Sequence, residues 1–221
     1  TVLFTLGSAP LLNIVGLLYA LLMNSDFKGK SIARMCIYMP AIISPLIMGY
    51  IWYFLLQPGR GFLYYFFEGL GHPEWFGNWM GSYGSALLVI ILVNVWQYAG
   101  MTMVIYLAGL QGISKELYEA ATIDGARWID SFLHVTMPLL GPSIRINVIT
   151  NIIGSLSVFD IVMSLTGGGP GYQTETLSIY IMRMCYGSKT GYSVAVAIIL
   201  FLIVLVPVAA SSWLMRKKEE D

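Results

Sequence analysis

Five long runs of apolar residues divide this chain, and short polar segments separate them. The runs cover residues 1–24, 36–56, 84–110, 135–165 and 192–215. A helix needs about 20 apolar residues to cross the hydrocarbon core of a bilayer. The pattern therefore predicts an all-α bundle with five membrane spans in a single domain, 1–221. The fourth run is too long for one straight crossing, and Pro138 and Pro142 predict a kink near its start.

Composition supports the membrane assignment. Of the 221 residues, 57% are hydrophobic and only 11% are charged, and the mean hydropathy is +0.73. A soluble domain carries about a quarter charged residues, so the chain is expected to be an integral membrane protein in contact with the lipid bilayer. The formal net charge is zero, which gives no reason to expect nucleic acid as a partner. Cys36 and Cys185 form no metal-binding pattern and are expected to be apolar fillers.

Lysine and arginine are distributed unevenly among the connecting segments. If 25–35 is cytoplasmic, the cytoplasmic segments hold eight of them: Lys28, Lys30, Arg34, Lys115, Arg127, Arg216, Lys217 and Lys218. The outer segments, 57–83 and 166–191, hold three: Arg60, Arg183 and Lys189. The positive-inside rule therefore places segment 111–134 in the cytoplasm. Arg145 lies inside a span and is expected to extend its charge toward the cytoplasm.

This orientation puts Thr1 on the outer side. Because the chain opens in apolar sequence without Met, we expect at least one further helix upstream. The outer segment 57–83 contains FLYYFFEGL and EWFGNWM. Aromatic side chains favour the membrane interface, so we expect 61–70 to form a short helix lying there.

The polar segment 111–134 contains ELYEAATIDGARWID in an otherwise apolar chain. Ser114 can cap a helix that begins at Lys115, and Gly125 permits a chain reversal at the end of that helix. ARWIDSFLH predicts a second short helix. These residues alone leave two interpretations open: an amphipathic connector on the membrane surface, or a docking element for another protein.

The spacing in this segment resembles a known motif. Glu119-Ala120-Ala121, three residues, Gly125, nine residues and then Val135-Thr136-Met137-Pro138 are similar to the EAA loop of ABC importer membrane subunits. The resemblance implies the transmembrane domain of a type I (MetI-like) importer, with cytoplasmic coupling helices in 111–134. It also implies that this segment couples to a cytoplasmic ATPase through a set of residues: Glu119, Ala120, Ala121, Asp124, Gly125 and Pro138.

Two further stretches, FKGKSIARMCIYMPAIISP and VFDIVMSLTGGGP, are similar to the sugar branch of this family, which includes maltose-type and multiple-sugar permeases. The resemblance implies a permease subunit of an ATP-driven, binding-protein-dependent sugar importer, most simply for oligosaccharides, in the bacterial cytoplasmic membrane. Such a subunit forms half of the translocation pathway and works by alternating access. An importer for another small solute, such as an amino acid, is the alternative.

The same resemblance implies several partners. They are a second homologous permease in a heterodimer, two cytoplasmic ATP-binding subunits and an extracytoplasmic sugar-binding protein. The chain has no GxxxxGKS/T motif, so ATP is expected on the partner subunit. No enzyme activity, no cofactor and no metal site is therefore expected on this chain. His72 and His134 fall on opposite sides of the predicted membrane and cannot share a catalytic site.

Polar side chains inside spans 84–110 and 135–165 are candidates for the wall of a solute pathway. Asn147, Asn151 and Ser155 recur every four residues and share one helix face. This stripe is neutral, which suits an uncharged, hydroxyl-rich solute. Asn and Ser also join membrane helices to one another, so these residues alone leave both roles open. The similarity to maltose-type permeases implies sugar contacts at Gln97, Tyr98, Met101, Asn151, Gly154 and Ser155, and Asn94 is a further polar candidate.

Overall fold

The computed structural model of the protein describes residues 1–72 and 77–220, which form helices and no β-strand. The helices are α1 (Val2–Asn24), α2 (Lys30–Ile42), α3 (Pro45–Leu55), α4 (Phe62–Gly69), α5 (Tyr83–Gln111), α6 (Lys115–Ile123), α7 (Trp128–Ser131), α8 (Met137–Leu139), α9 (Gly141–Leu156), α10 (Asp160–Leu165), α11 (Leu177–Tyr186) and α12 (Thr190–Glu220). A π-helical turn, Phe132–Thr136, joins α7 to α8. Part of the predicted aromatic outer segment, 73–76, lies outside the described residues, as do the side chains of the basic tail residues 216–218.

Three of the described helices are each long and apolar enough to cross a membrane: Val2–Asn24, Tyr83–Gln111 and the Thr190–Ser211 part of α12. Two bent helix pairs are also long and apolar enough to cross a membrane when the two helices of each pair are counted as one span. They are α2 with α3, bent by 96°, and Trp128–Leu139 with α9, bent by 68°. By length and composition these helices allow three spans, or up to five if each bent pair is one span.

The predicted run 36–56 is broken near its middle. Ile43 and Ser44 are extended, and α3 starts at Pro45. Proline lacks the N–H that a helix interior requires, and its ring disfavours helical backbone at the preceding residue. The sequence pattern treated this stretch as one span, whereas the structure turns the chain sharply at Ser44.

The kink expected near Pro138 and Pro142 is confirmed. Ahead of Pro138 the chain widens into the π turn, where the Met137 N–H donates to the Phe132 carbonyl. The sharp bend follows at Leu140, and Pro142 lies in the first turn of α9. No helix break marks residue 135, where the predicted span begins, because the helical segment that begins at Trp128 runs through it to Leu139.

Close backbone contacts hold the other helices against α5. A Cβ atom at Gly100 would overlap the Ile37 carbonyl oxygen of α2, and one at Gly16 of α1 would overlap the side chain of Thr102. Only glycine allows such an approach, which is the usual packing of small residues between membrane helices. Two clusters of buried apolar residues lie along α5, one around Ile90 and Ile161 and one around Met103 and Leu140.

Helices also occupy the segments between the apolar runs. The short helix expected at 61–70 is present as α4, with Phe62, Tyr65 and Phe66 exposed. The sequence analysis treated 166–191 as a loop, but it contains α11, whose first turn is capped where Thr176 Oγ1 accepts the Ile179 N–H at 3.4 Å. Cys36 and Cys185 are free and exposed.

The connection between α1 and α2 is closed by a basic side chain. Arg34 donates from Nη2 to the Met23 carbonyl at 2.7 Å, in the last turn of α1. Lys30 pairs with Asp26 at 2.6 Å, and this hydrogen bond holds the pKa of Asp26 below its usual value. These contacts satisfy a free carbonyl at the helix end and place positive charge at the negative end of the helix dipole.

Candidate functional site

A cavity of about 460 Å³ lies where α5 and α9 face each other, with α1, the start of α3 and residues 157–161 closing its sides. Six of the seven predicted substrate residues line it: Asn94, Tyr98, Met101, Asn151, Gly154 and Ser155. The α5 members are spaced by four and three residues, so they share one helix face. The α9 members lie within one helical turn and also face the cavity together. The structure thus brings together two stretches that are at least 50 residues apart in the sequence.

Gln97 is the predicted contact that the structure does not bring to this cavity. Its side chain is 0% exposed, and Nε2 donates to the Ile43 carbonyl at 3.0 Å. Successive residues of an α-helix point about 100° apart, so Gln97 cannot share the direction of Tyr98. Instead it satisfies the carbonyl left free where α2 ends. Gln97 therefore packs between α5 and the turn that joins α2 to α3.

Some of the polar residues join helices as well as lining the cavity. The Asn94 Oδ1 accepts a hydrogen bond from Ser8 Oγ of α1 at 2.8 Å. Asn147 donates from Nδ2 to the Thr102 carbonyl at 3.2 Å, and both asparagines are buried. These contacts correspond to the interhelical role that the sequence left open. Asn94 and Asn147 therefore contribute to packing in addition to any contact with a solute.

Asn151 and Ser155 are placed differently. Asn151 is only half-buried, and both its amide atoms lie near the Thr102 hydroxyl of α5, Nδ2 at 3.3 Å as a donor and Oδ1 at 3.4 Å as an acceptor. The Ser155 hydroxyl has no hydrogen-bond partner among the described residues although it is buried. Buried polar groups usually have a partner in protein or water. The outer half of the α9 stripe therefore retains hydrogen-bonding capacity toward the cavity.

Part of the cavity wall was not predicted from the sequence. Thr102, Thr150, Phe159 and Asp160 also line the cavity. Thr102 follows Tyr98 by four residues, so helical periodicity could have identified it. Asp160 is exposed at the start of α10 and adds a carboxylate to the wall beside the neutral α9 stripe. It reaches the cavity because α9 ends at Leu156 and the chain turns back before α10.

The predicted pair of short helices in 114–134 is confirmed. The Ser114 Oγ accepts the Glu116 N–H at 3.3 Å and caps α6, as expected. Gly125 has a φ of +79° and reverses the chain between α6 and α7. A Cβ atom there would meet nothing within 4 Å, so backbone conformation rather than space requires glycine.

The outward side of these two helices is exposed, and we call it the α6–α7 surface. It contains Leu117, Glu119, Ala120, Asp124, Gly125, Trp128 and Ile129, which are all exposed. The Trp128 side chain is 73% exposed and stacks on Phe132 with ring centroids 5.6 Å apart. Of the remaining predicted coupling residues, Ala121 is half-buried beside this surface and Pro138 is exposed in α8. Exposed large apolar side chains accompanied by charged ones are typical of a protein interface.

At the other end of the molecule, the glycine-rich segment 167–171 is folded onto the start of α11. Thr174 donates from Oγ1 to the Gly169 carbonyl at 2.5 Å. Arg183 pairs with Glu175 at 2.6 Å, and its guanidinium lies 4.1 Å from the centroid of the Tyr172 ring. A hydrogen bond with Tyr192 raises the pKa of Tyr180, which also lies beside Arg183. These contacts give this end of the chain a defined surface.

Apolar helices of membrane-spanning length, a cavity lined by polar and apolar side chains and an exposed helix pair together fit a membrane transport protein. Comparison with known proteins gives its family. The chain belongs to the family described as "Binding-protein-dependent transport system inner membrane component", whose model matches residues 13–220. The resemblance to importer permeases inferred from the EAA spacing is thereby confirmed.

Individual relatives match most of the chain. The trehalose/maltose transport system permease protein MalF of Thermococcus litoralis is 35% identical over 205 residues, which cover 93% of this chain and 69% of the relative. The probable starch degradation products transport system permease protein AmyD of Thermoanaerobacterium thermosulfurigenes is 30% identical over 219 residues, or 99% and 74%. A solved bacterial ABC transporter involved in the import of the acidic polysaccharide alginate is 25% identical with a TM-score of 0.83, covering 97% of this chain and 77% of that chain. The expected all-α importer fold is confirmed by these matches.

Proposed function

We propose that this chain is the permease subunit of a sugar importer and that the cavity between α5 and α9 holds the sugar during transport. The names of the relatives support sugar over an amino acid, since they refer to trehalose and maltose, to starch degradation products and to multiple sugars. The similar solved transporter imports a polysaccharide.

The observation that carries the proposal is the chemistry of the cavity wall. Amide and hydroxyl groups of Asn151, Ser155 and Thr150 can hydrogen-bond to sugar hydroxyls, while Tyr98 and Phe159 provide aromatic surface. A volume of about 460 Å³ lies within the range of small-molecule sites, which is about 300–1,000 Å³. A few polar groups set among apolar and aromatic ones are the usual composition of such sites.

The proposal includes partners that complete the transporter. An ATP-binding subunit docks on the α6–α7 surface, where the exposed Glu119 supplies a charge and Trp128 an apolar contact. A second, homologous permease provides the other half of the pathway, and an extracytoplasmic binding protein delivers the sugar. ATP binding and hydrolysis on the partner then drive alternating access across the bacterial cytoplasmic membrane.

Asn151→Leu tests the location of the site in liposomes that contain the complete transporter. Losing a hydrogen bond of about 1 kcal/mol should lower sugar uptake several-fold, or change which sugars pass. Assembly and basal ATP hydrolysis should stay near wild type. Uptake of radiolabelled sugars and recovery of the purified complex are the measurements.

Asn147→Leu, one helical turn earlier, is the matched variant. Because Asn147 is buried and bonded to the Thr102 carbonyl, its loss should lower recovery of the complex. If Asn151→Leu also prevents assembly, Asn151 is a packing residue. If Asn151→Leu transports every tested sugar at the wild-type rate, the sugar site lies elsewhere.

A further inference from the structure

We propose that the hydrogen bond between Tyr118 and Thr136 transmits movements of the α6–α7 surface to the cavity wall on α9. Tyr118 is a positioning residue in this scheme, because it acts through Thr136 and lies far from the cavity wall. The inference rests on the function proposed above, since it concerns how docking at one end of the chain changes the sugar site at the other.

α6 has few contacts with the rest of the molecule. None of its residues is buried, and only Tyr118 and Ala121 are half-buried. The Tyr118 hydroxyl lies 3.0 Å from Thr136 Oγ1. Within the described residues, Tyr118 is the one α6 residue whose side chain hydrogen-bonds outside its own helix, since the Thr122 hydroxyl bonds back to the Tyr118 carbonyl.

Apart from Ile113, which packs against the cluster around Met103 and Leu140, the chain on either side of α6 provides little further restraint. A short turn at 112–114 separates it from α5. On the other side, Gly125 is in the left-handed region at a φ of +79° and connects it to α7. Both connections can act as hinges, because a few loop residues are enough to absorb the backbone rotation of a moving element. The side-chain bond to Thr136 therefore fixes the direction of α6.

Thr136 lies where movement of this segment would reach the membrane helices. It is 4% exposed and ends the π turn, two residues before Pro138. Single π turns of this kind occur often at functional positions in helices. The segment Trp128–Leu139 then meets α9 at a bend of 68°. In this scheme, a displacement of Thr136 moves the helical segment Trp128–Leu139 as a rigid body, and the bend connects that segment to α9.

The bend itself has a fixed centre. Leu140 is 0% exposed and packs in the cluster of Ala20, Met103 and Tyr106. Beyond it, α9 carries Asn151 and Ser155, which lie about 16 and 22 Å along the helix at 1.5 Å per residue. A rotation about Leu140 therefore changes the position of the cavity wall relative to α5. Tyr118 and Thr136 connect α6 to this rotation.

The transporter reconstituted with its second permease, ATP-binding subunit and binding protein tests the inference. Tyr118→Phe and Thr136→Val each remove one side of the bond while keeping most of the side-chain volume. We expect each variant to lower the sugar imported per ATP hydrolysed about fivefold, which corresponds to a hydrogen bond of about 1 kcal/mol. Thr136→Val also removes the 3.5 Å bond from Thr136 Oγ1 to the Ser131 carbonyl. The double variant should therefore be no worse than Thr136→Val alone, because both lack the Tyr118 bond.

Tyr50→Phe is the matched control. It removes the same hydroxyl from an exposed position on α3 at which the described part of the chain shows no hydrogen bond, and it should leave the ratio unchanged. Wild-type ratios in Tyr118→Phe and Thr136→Val, or losses that multiply in the double variant, would overturn the inference.

Hydrogen exchange of the same complex separates this inference from the proposed function, because it needs no sugar. Without the bond, the amides of residues 115–123 should exchange about fivefold faster, whereas those of α9 should not change. Unchanged exchange in 115–123 contradicts the link itself. A wild-type complex that imports none of the tested sugars contradicts the proposed function instead, whatever the exchange shows.

Discussion

The cavity wall and the α6–α7 surface differ in how their polar groups are satisfied. In the wall, Asn94 and Asn147 are buried and bonded to neighbouring helices. On the α6–α7 surface, Glu119 and Asp124 are exposed. A buried polar group must be matched within its own fold, whereas an exposed one is free to meet another molecule. Asn94 and Asn147 are thus engaged in packing within this chain, whereas Glu119 and Asp124 are available to a partner.

Glycines show the same difference. Gly100 lies where α2 crosses α5, and any side chain there would collide with the backbone at Ile37. Gly125 has open space around it and is needed for its positive φ. Substitution at the first position should affect assembly of the helices, and substitution at the second should affect the direction of α7. Substitutions at Gly100 and Gly125 therefore distinguish an effect on folding from an effect on coupling to the ATP-binding subunit.

The largest effect is expected for Gly100→Val. Overpacking usually costs about 1–3 kcal/mol, and a collision with backbone belongs at the upper end of that range. We expect little or no folded complex, measured as yield after size-exclusion chromatography and as thermal unfolding. Gly141→Ala is the control, because a Cβ atom at Gly141 would meet nothing within 4 Å. Normal recovery of Gly100→Val would show that α2 and α5 do not pack as described.

An intermediate effect is expected for Glu119→Lys and for Gly125→Val. Reversing a charge at a docking contact removes an interaction of about 1.5–3 kcal/mol, or roughly ten- to a hundredfold in coupling. A β-branched residue is strained at a φ of +79° and should misdirect α7. Uptake should fall in liposomes while membrane insertion and purification remain normal.

The same charge reversal at exposed Glu68 of α4 is the control for Glu119→Lys. It should leave uptake unchanged, since α4 lies in the segment predicted to face the outer side. If both Glu119→Lys and Gly125→Val transport normally, the α6–α7 surface is not where the ATP-binding subunit docks. If they fail to assemble instead, this surface is part of the folded core rather than a site for a partner.

The smallest effect is expected for Gln97→Met, which distinguishes the cavity wall from the packing behind it. The change removes the bond to the Ile43 carbonyl and also a buried Oε1 that has no partner among the described residues. These two changes oppose each other, so we expect thermal stability to alter by about 1 kcal/mol or less. The sugar concentration at half-maximal uptake should stay at its wild-type value. A large change in that sugar concentration would show that Gln97 contacts the sugar after all.

The sequence predicted the features that depend on local pattern. Helical spacing placed Asn151 and Ser155 on one face, and the Ser114 cap and the Gly125 reversal follow from the chemistry of those residues. Gln97 was misplaced because counting along a motif gives a position in the chain and no direction for the side chain. The burial of Asn147 depends on α5 lying beside it, which no local pattern contains.

The breaks in the helices were predicted unevenly. Pro138 and Pro142 indicated the bend at Leu140, but Pro45 was not given the same weight, although it ends the preceding helix by the same mechanism. The run 135–165 was predicted as one kinked span, whereas α9 and α10 are separate helices, and Asp160 at the start of α10 lines the cavity. α11 was missed because its ten residues are amphipathic and too few for a span.

Arg34 has a consequence for how the protein enters the membrane. Its charge contributes to the bias that sets orientation, and its guanidinium also donates to the last turn of α1 at Met23. In the orientation predicted from the sequence, one of the three basic side chains that would hold segment 25–35 on the cytoplasmic side is therefore the same one that joins the ends of α1 and α2. During synthesis, this contact could form as soon as Arg34 has emerged. A single side chain would then contribute both to the orientation of the chain and to an early tertiary contact.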